Sequence, residues 1–187
     1  MTNDDLALWV HEWALRYSAE HDEVLSPLHG TRALDRSAAL TVIQWKFNAM
    51  PHRLANARRR MTRESGETVL DITAAARACR DDGAAMRVIQ ILQGVGPALG
   101  SALLMTMSPQ RWTVLDERAV ASINAIGYTA VPPNSQGRLT WLPYLRACRD
   151  IHQRTGQSLR EVDRALYAAK PSVSSSGEAR SGAETLT

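Results

Sequence analysis

The chain has 187 residues, 44% of them hydrophobic and 22% charged, with 22 basic against 19 acidic side chains and a net charge of +3. That length suits one domain or two small lobes with a true core, and the balance excludes a chain too polar to fold. No apolar run is long enough to span a bilayer and no signal-peptide pattern opens the chain, so a cytoplasmic protein is expected. The mildly basic balance permits nucleic-acid binding without requiring it. Arginine supplies 20 of the basic residues; the lysines are Lys46 and Lys170.

Helical periodicity runs through the sequence, and no strand pattern or internal repeat interrupts it, so an all-α fold is expected. Asn3 or Asp4 caps a first helix to about Tyr17, with Leu6, Trp9, Val10, Trp13 and Tyr17 on one face as core. Ser26-Pro27-Leu28-His29-Gly30 breaks the chain. A second helix runs from about Ala33 to Phe47, and Met50 before Pro51 ends it. Pro51 opens a third helix with Leu54, Ala57 and Met61 inside. His52, Arg53, Arg58, Arg59, Arg60 and Arg63 decorate it, as phosphate contacts or as a solvated face. A fourth helix covers about Thr68 to Arg80 and a fifth Ala84 to Gln93.

The stretch 88–122 carries the most information. Val88, Ile91 and Leu92 share a helix face, Gly94-Val95-Gly96 makes a tight turn, and Pro97 suits the first position of the next helix. Gly94 and Gly96 are free to take positive φ. The turn's N–H groups stand at a helix N-terminus with no side chains in front of them, an arrangement suited to a phosphate. Thr113-Val114-Leu115-Asp116 then opens a helix reaching Gly127. Asp116 stands where an N-cap belongs, so it reads either as a cap or as a working carboxylate. Trp112, four positions earlier, walls a pocket or packs in the core.

Val131-Pro132-Pro133-Asn134-Ser135-Gln136-Gly137 reads as a long connection. Trp141, Leu142, Leu145, Cys148 and Ile151 mark a helix to about Thr155. Ser158 and Glu161 form a capping box for a last helix, with Leu159, Val162, Ala165 and Leu166 on its buried side. Residues 170–187 read as a disordered tail. Cys79 and Cys148 read as reduced thiols, and the histidines show no metal spacing.

Gly94-Val95-Gly96, the helices around it, and Asp116 twenty positions after Gly96 resemble the helix-hairpin-helix superfamily of base-excision DNA glycosylases. That group includes endonuclease III, adenine glycosylase and 8-oxoguanine glycosylase, and the likeness is closest over residues 85–127. The resemblance implies a two-lobed all-α fold, with residues 1–32 and 133–169 in one lobe, 33–128 in the other, and Asp116 facing the cleft. It implies double-stranded DNA as partner and hydrolysis of the N-glycosidic bond of a damaged or mispaired base. Asp116 would stabilise the oxocarbenium-like sugar and activate water. Gly94, Val95, Gly96 and Ala98 would hold the DNA backbone.

In the family, the helix corresponding to the second one here ends in a loop that enters the minor groove. Gln44, Trp45, Lys46 and Asn48 fall there; the alternative is a core Trp45 and an ordinary surface Lys46. Bifunctional members carry a nucleophilic lysine two residues after the second hairpin glycine, where this chain has Ala98. The resemblance therefore implies a monofunctional enzyme without a β-lyase step. The four-cysteine set of some relatives is absent, so no iron–sulfur cluster, metal or other cofactor is expected. Two further readings stand beside it: a non-catalytic DNA-binding module that kept the hairpin, and a structural or partner-binding protein with a relic fold.

Overall fold

The computed structural model describes residues 1–128 and 140–169. The expected connection at Val131–Gly137 and the tail 170–187 lie outside the described residues. Those residues form ten α-helices and no strand, an all-α fold. No described helix is long and apolar enough to cross a membrane.

The helices start where short polar side chains satisfy free backbone N–H groups. Helix α1 (Asn3–Ala14) is capped by Thr2, which exchanges hydrogen bonds with Asp5, rather than by Asn3 or Asp4. A short α2 (Glu20–Glu23) and a single 3-10 turn at Ser26–Leu28 follow, neither of them visible in the sequence pattern. Asp35 caps α3 (Arg36–Phe47), and Pro51 opens α4 (Pro51–Met61). Ser65 caps α5 (Gly66–Ala78) and Asp81 caps α6 (Asp82–Ile89), which stops short of Gln93. Helices α7 (Pro97–Met107) and α8 (Glu117–Ala125) flank the extended segment that carries Asp116. Helix α9 (Trp141–Thr155) ends at Gly156, which takes the left-handed conformation at φ 71°. Ser158 and Glu161 cap α10 (Leu159–Ala168) with the expected box.

Helix α7 is the axis of the molecule. Every residue from Leu99 to Met107 is buried, which explains why its sequence shows no polar face. Burying a side chain such as Leu103 or Leu104 contributes about 1.5–3 kcal/mol. Around α7 pack α3, α5 and α6, with α4 against α3; Gly100 lets α6 come close, since a Cβ there would stand 3.0 Å from Ile89 and Met86. Helices α1, α9 and α10 pack mutually, and α8 lies on α10. One continuous apolar core joins the two groups.

The turn before α7 uses its two glycines differently. Gly94 has φ 78°, and a Cβ on it would collide with the Arg60 side chain. Gly96 is extended, with φ −87° and ψ 179°, and serves as the N-cap of α7. The positive φ expected of both glycines is found in Gly94 alone.

Candidate active site

The segment Thr113–Asp116 is held along its backbone by side chains from four helices. Trp141 Nε1 donates to the Thr113 carbonyl at 3.0 Å. The Val114 N–H reaches Asp163 at 3.2 Å and the Leu115 N–H reaches Ser101 Oγ at 2.8 Å. Lys46 Nζ donates to the Leu115 carbonyl at 3.1 Å. Val114 and Leu115 are themselves buried. A segment so pinned presents the Asp116 side chain in one place, which is what a preorganised charge requires.

Asp116 stands at a cavity of about 600 Å³. Its two carboxylate oxygens do different work. Oδ1 accepts the Arg118 N–H at 3.0 Å and caps α8, while Oδ2 lies 3.0 Å from Lys46 Nζ. The cap is present, and the second oxygen is paired with a cation. Both side chains are largely covered, with 8% of Lys46 and 17% of Asp116 exposed.

Trp45, Lys46 and Asn48 from the end of α3 line the same cavity, as does Ala98 at the start of α7. Trp45 is nine-tenths buried yet forms part of the wall: its Nε1 donates to Asp22 at 3.2 Å, and His21 stacks on it at 5.6 Å between ring centroids. Gln44 turns to the outer side of α3, where it accepts from Arg58 at 2.9 Å and borders a second, shallower hollow. Trp112 is away from the cavity. It is buried, with its Nε1 on Asp82 at 2.9 Å and the Arg111 guanidinium over its ring. The structure thus takes the packing alternative for Trp112.

Gly94, Val95 and Gly96 are not among the residues that line the cavity. The Val95 N–H is bonded to the Leu92 carbonyl and the Gln93 N–H to the Glu64 carboxylate at 2.8 Å. Among the described residues no acceptor meets the N–H groups of Gly94, Gly96 or Ala98. The turn accordingly offers three backbone donors beside the positive end of α7.

The inner wall is a polar network that sequence reasoning missed. Asp22 receives Arg160, Arg164, Tyr17 and the Trp45 indole. Arg160 also pairs with Asp163 at 2.5 Å, and Tyr144 donates to Asp163 at 2.9 Å. Burial alone would raise the Asp22 carboxyl, but Arg160 and its hydrogen bonds outweigh burial and hold it below the ordinary range. Fully buried Asp163 is pushed up by desolvation, against the pull of Arg160, the Val114 N–H and Tyr144. Tyr17, expected in the core, lines the cavity instead. One signal was available: Asp163 lies four residues after Leu159 and three before Leu166, so a carboxylate interrupts an otherwise apolar helix face. Asp22 gave none, because it sits in a single turn of helix.

Compared with known proteins, the chain matches no family model, no curated protein and no solved structure.

Proposed function

We propose that the chain is a DNA glycosylase of the helix-hairpin-helix type, hydrolysing the N-glycosidic bond of a damaged or mispaired base in duplex DNA. The observation that carries this reading is the backbone-pinned Asp116, paired with Lys46 at the wall of a cavity that Ala98 and the end of α3 also line. In this reading α6, the turn and α7 are the hairpin, and the N–H groups of Gly94, Gly96 and Ala98 receive a phosphate. The α1–α9–α10 group and the α3–α7 group are the two lobes, with α8 lying on the first. A base turned out of the stack enters between them. The apolar and aromatic wall, Trp45 included, suits a base, and Asn48 adds a polar group to that wall.

Loss of the base builds positive charge on the sugar. A carboxylate about 4 Å away, at an effective dielectric near 20, contributes about 4 kcal/mol, or roughly a thousandfold in rate. Asp116 also orients the attacking water. Ala98 cannot act as a nucleophile, so no covalent step runs through that position.

A second reading is a non-catalytic hairpin module that binds duplex DNA through the same turn. The existing Asp116–Lys46 pair favours it, since a neutralised carboxylate attracts a cationic sugar less strongly. Base release from a panel of lesion-bearing and mismatched duplexes, wild type against Asp116→Asn, separates the two. Release by the wild type and its loss in a folded variant supports the glycosylase. DNA binding without release from any duplex supports the module.

A further inference from the structure

Helix α4 is the most basic helix among the described residues, and neither hydrolysis nor the glycine turn gives it a task. Arg53, Arg58, Arg59 and Arg60 stand on it, all four exposed, and it carries no acidic side chain. What steadies each of them is neutral. The Asn56 amide oxygen accepts from Arg59 at 2.9 Å and from Arg60 Nε at 3.4 Å. The Gln44 amide oxygen accepts from Arg58 at 2.9 Å, and Met50 Sδ lies 3.7 Å from Arg53 Nη1. Among the described residues no carboxylate pairs with any of the four. Arginines on α9 and α10 do the opposite: Arg149, Arg154, Arg160 and Arg164 each meet an aspartate. An arginine on a carboxylate ties the fold together and leaves little net charge. An arginine steadied by an amide is held in place with its charge intact, ready for phosphate.

The charge is also placed. Arg53 and Arg60 are seven residues apart, so they share one flank of α4, about 10.5 Å apart along its axis. Both ends of that flank meet the candidate site. Arg53, exposed and lining the cavity with Asp116, stands at its rim. Arg60 lies against Gly94, whose missing Cβ leaves room for the arginine stem, beside the turn with its open N–H groups. Arg58 is about 150° away around the helix, turned to Gln44 and the second hollow. One strand of a duplex carries a phosphate about every 3.4 Å of its axis, so the flank from Arg60 to Arg53 spans about three of them.

We infer that the Arg53–Arg60 flank of α4 is a second contact surface for the DNA backbone, along which one strand runs from the glycine turn to the rim of the cavity. The inference rests on the DNA-binding part of the proposed reading and holds for the glycosylase and the hairpin module alike. The turn supplies hydrogen bonds without a formal charge. Helix α4 supplies the charge, and with it a salt dependence, because each phosphate met by an arginine releases counterions.

The test reads that salt dependence with the full chain. Fluorescence anisotropy of a labelled duplex of about 20 base pairs holding one abasic site, from about 50 to 200 mM KCl, gives log Kd against log salt. Arg53→Gln/Arg60→Gln is expected to flatten the slope by about 1.8, two contacts at about 0.9 each, so that it loses roughly tenfold less affinity over this range than the wild type. Arg53→Lys/Arg60→Lys, which keeps both charges, is expected to keep the slope. So is Arg58→Gln, which removes a charge from the other flank of the same helix. Thermal melting checks that each variant is folded. An unchanged slope in the double glutamine variant overturns the inference, and so does an equal loss per charge from Arg58→Gln, which would mark a diffuse attraction; the proposed reading survives both. The expected slopes without base release from any lesion keep the inference and remove the glycosylase. A wild type that binds no duplex at about 50 mM salt overturns both.

Discussion

Asp82 and Asp116 both stand at helix starts, and each meets a cation, yet their surroundings differ. Asp82 has both oxygens taken by side chains: Arg111 and Trp112 reach Oδ1, and Arg149 reaches Oδ2 at 2.6 Å. The same two arginines also donate to the carbonyls of Cys79, Arg80 and Arg111, so the cluster ties α6, α9 and the segment after α7 together. Asp116 has one oxygen on its helix, one on Lys46, and a cavity in front. An aspartate whose lone pairs are filled by arginine forks has nothing left to offer a ligand. An aspartate with one flexible ammonium can exchange that partner for a substrate.

Separating function from stability at these two aspartates is the sharpest use of the comparison. On the proposed glycosylase reading, Asp116→Asn is expected to lower base release by up to roughly a thousandfold, the contribution of the carboxylate when Lys46 does not neutralise it. Asparagine still caps α8 and still offers Lys46 an oxygen but no counter-charge, so the stability lost is expected at about 1–2 kcal/mol. Single-turnover base release and thermal melting, measured on the same preparation, check both halves. A variant that releases base at the wild-type rate would reduce Asp116 to a cap and erase the contrast with Asp82.

Asp82→Ala should do the reverse. Its partners are about one-third exposed, so water recovers part of their solvation and the loss is expected near 2 kcal/mol, below that of a fully buried pair. The buried Trp112 indole N–H loses its acceptor as well. Activity per folded molecule is expected to be unchanged. There is also a pH signature. Burial raises the Asp82 carboxyl, but hydrogen bonds from Arg149 and Trp112 and the charges of both arginines outweigh it and hold the group below the ordinary carboxylate range. A depressed carboxyl contributes stability that is fully present above its unfolded value and is lost as pH falls through the folded one. Melting temperature against pH should therefore drop below about pH 4 in the wild type, and drop less in Asp82→Ala.

The difference between the two aspartates was half legible in the sequence. Local signals read correctly: Pro51 and Pro97 at helix starts, the Ser158–Glu161 box, and Asp116 at the head of α8. These depend on neighbours within a few residues, where spacing and geometry are nearly the same thing. The partners of Asp116 were not legible, because Lys46 lies 70 positions away and reads as a minor-groove contact or an ordinary surface charge, with nothing to link it to Asp116. Trp112 failed for a similar reason: four positions before Asp116 is close in sequence, but the extended segment between them carries it to the other side of the core. The inner network escaped because Asp22 reaches α10 across 138 positions, with no periodic pattern around it.

The smallest expected effects concern the two glycines of the turn, and they refine what the comparison says about open and closed groups. Gly94→Ala forces a side chain onto φ 78° and against Arg60, so it should cost about 1–2 kcal/mol, or roughly 2–8 °C in Tm for a chain of this size. Gly96→Ala should leave Tm almost unchanged, within about 0.5 kcal/mol, because its backbone is extended and nothing lies within 4 Å of the added methyl. That same open space is where a phosphate would approach the N–H groups of Gly96 and Ala98. Duplex binding by Gly96→Ala is therefore expected to weaken by about 1 kcal/mol, roughly fivefold, through one impaired backbone contact. Fluorescence anisotropy with an abasic duplex at fixed salt reads it directly. Unchanged binding in this stable variant would place the DNA backbone elsewhere. Weakened binding at constant Tm would identify the unpaired N–H groups of the turn as the point where the DNA backbone is held.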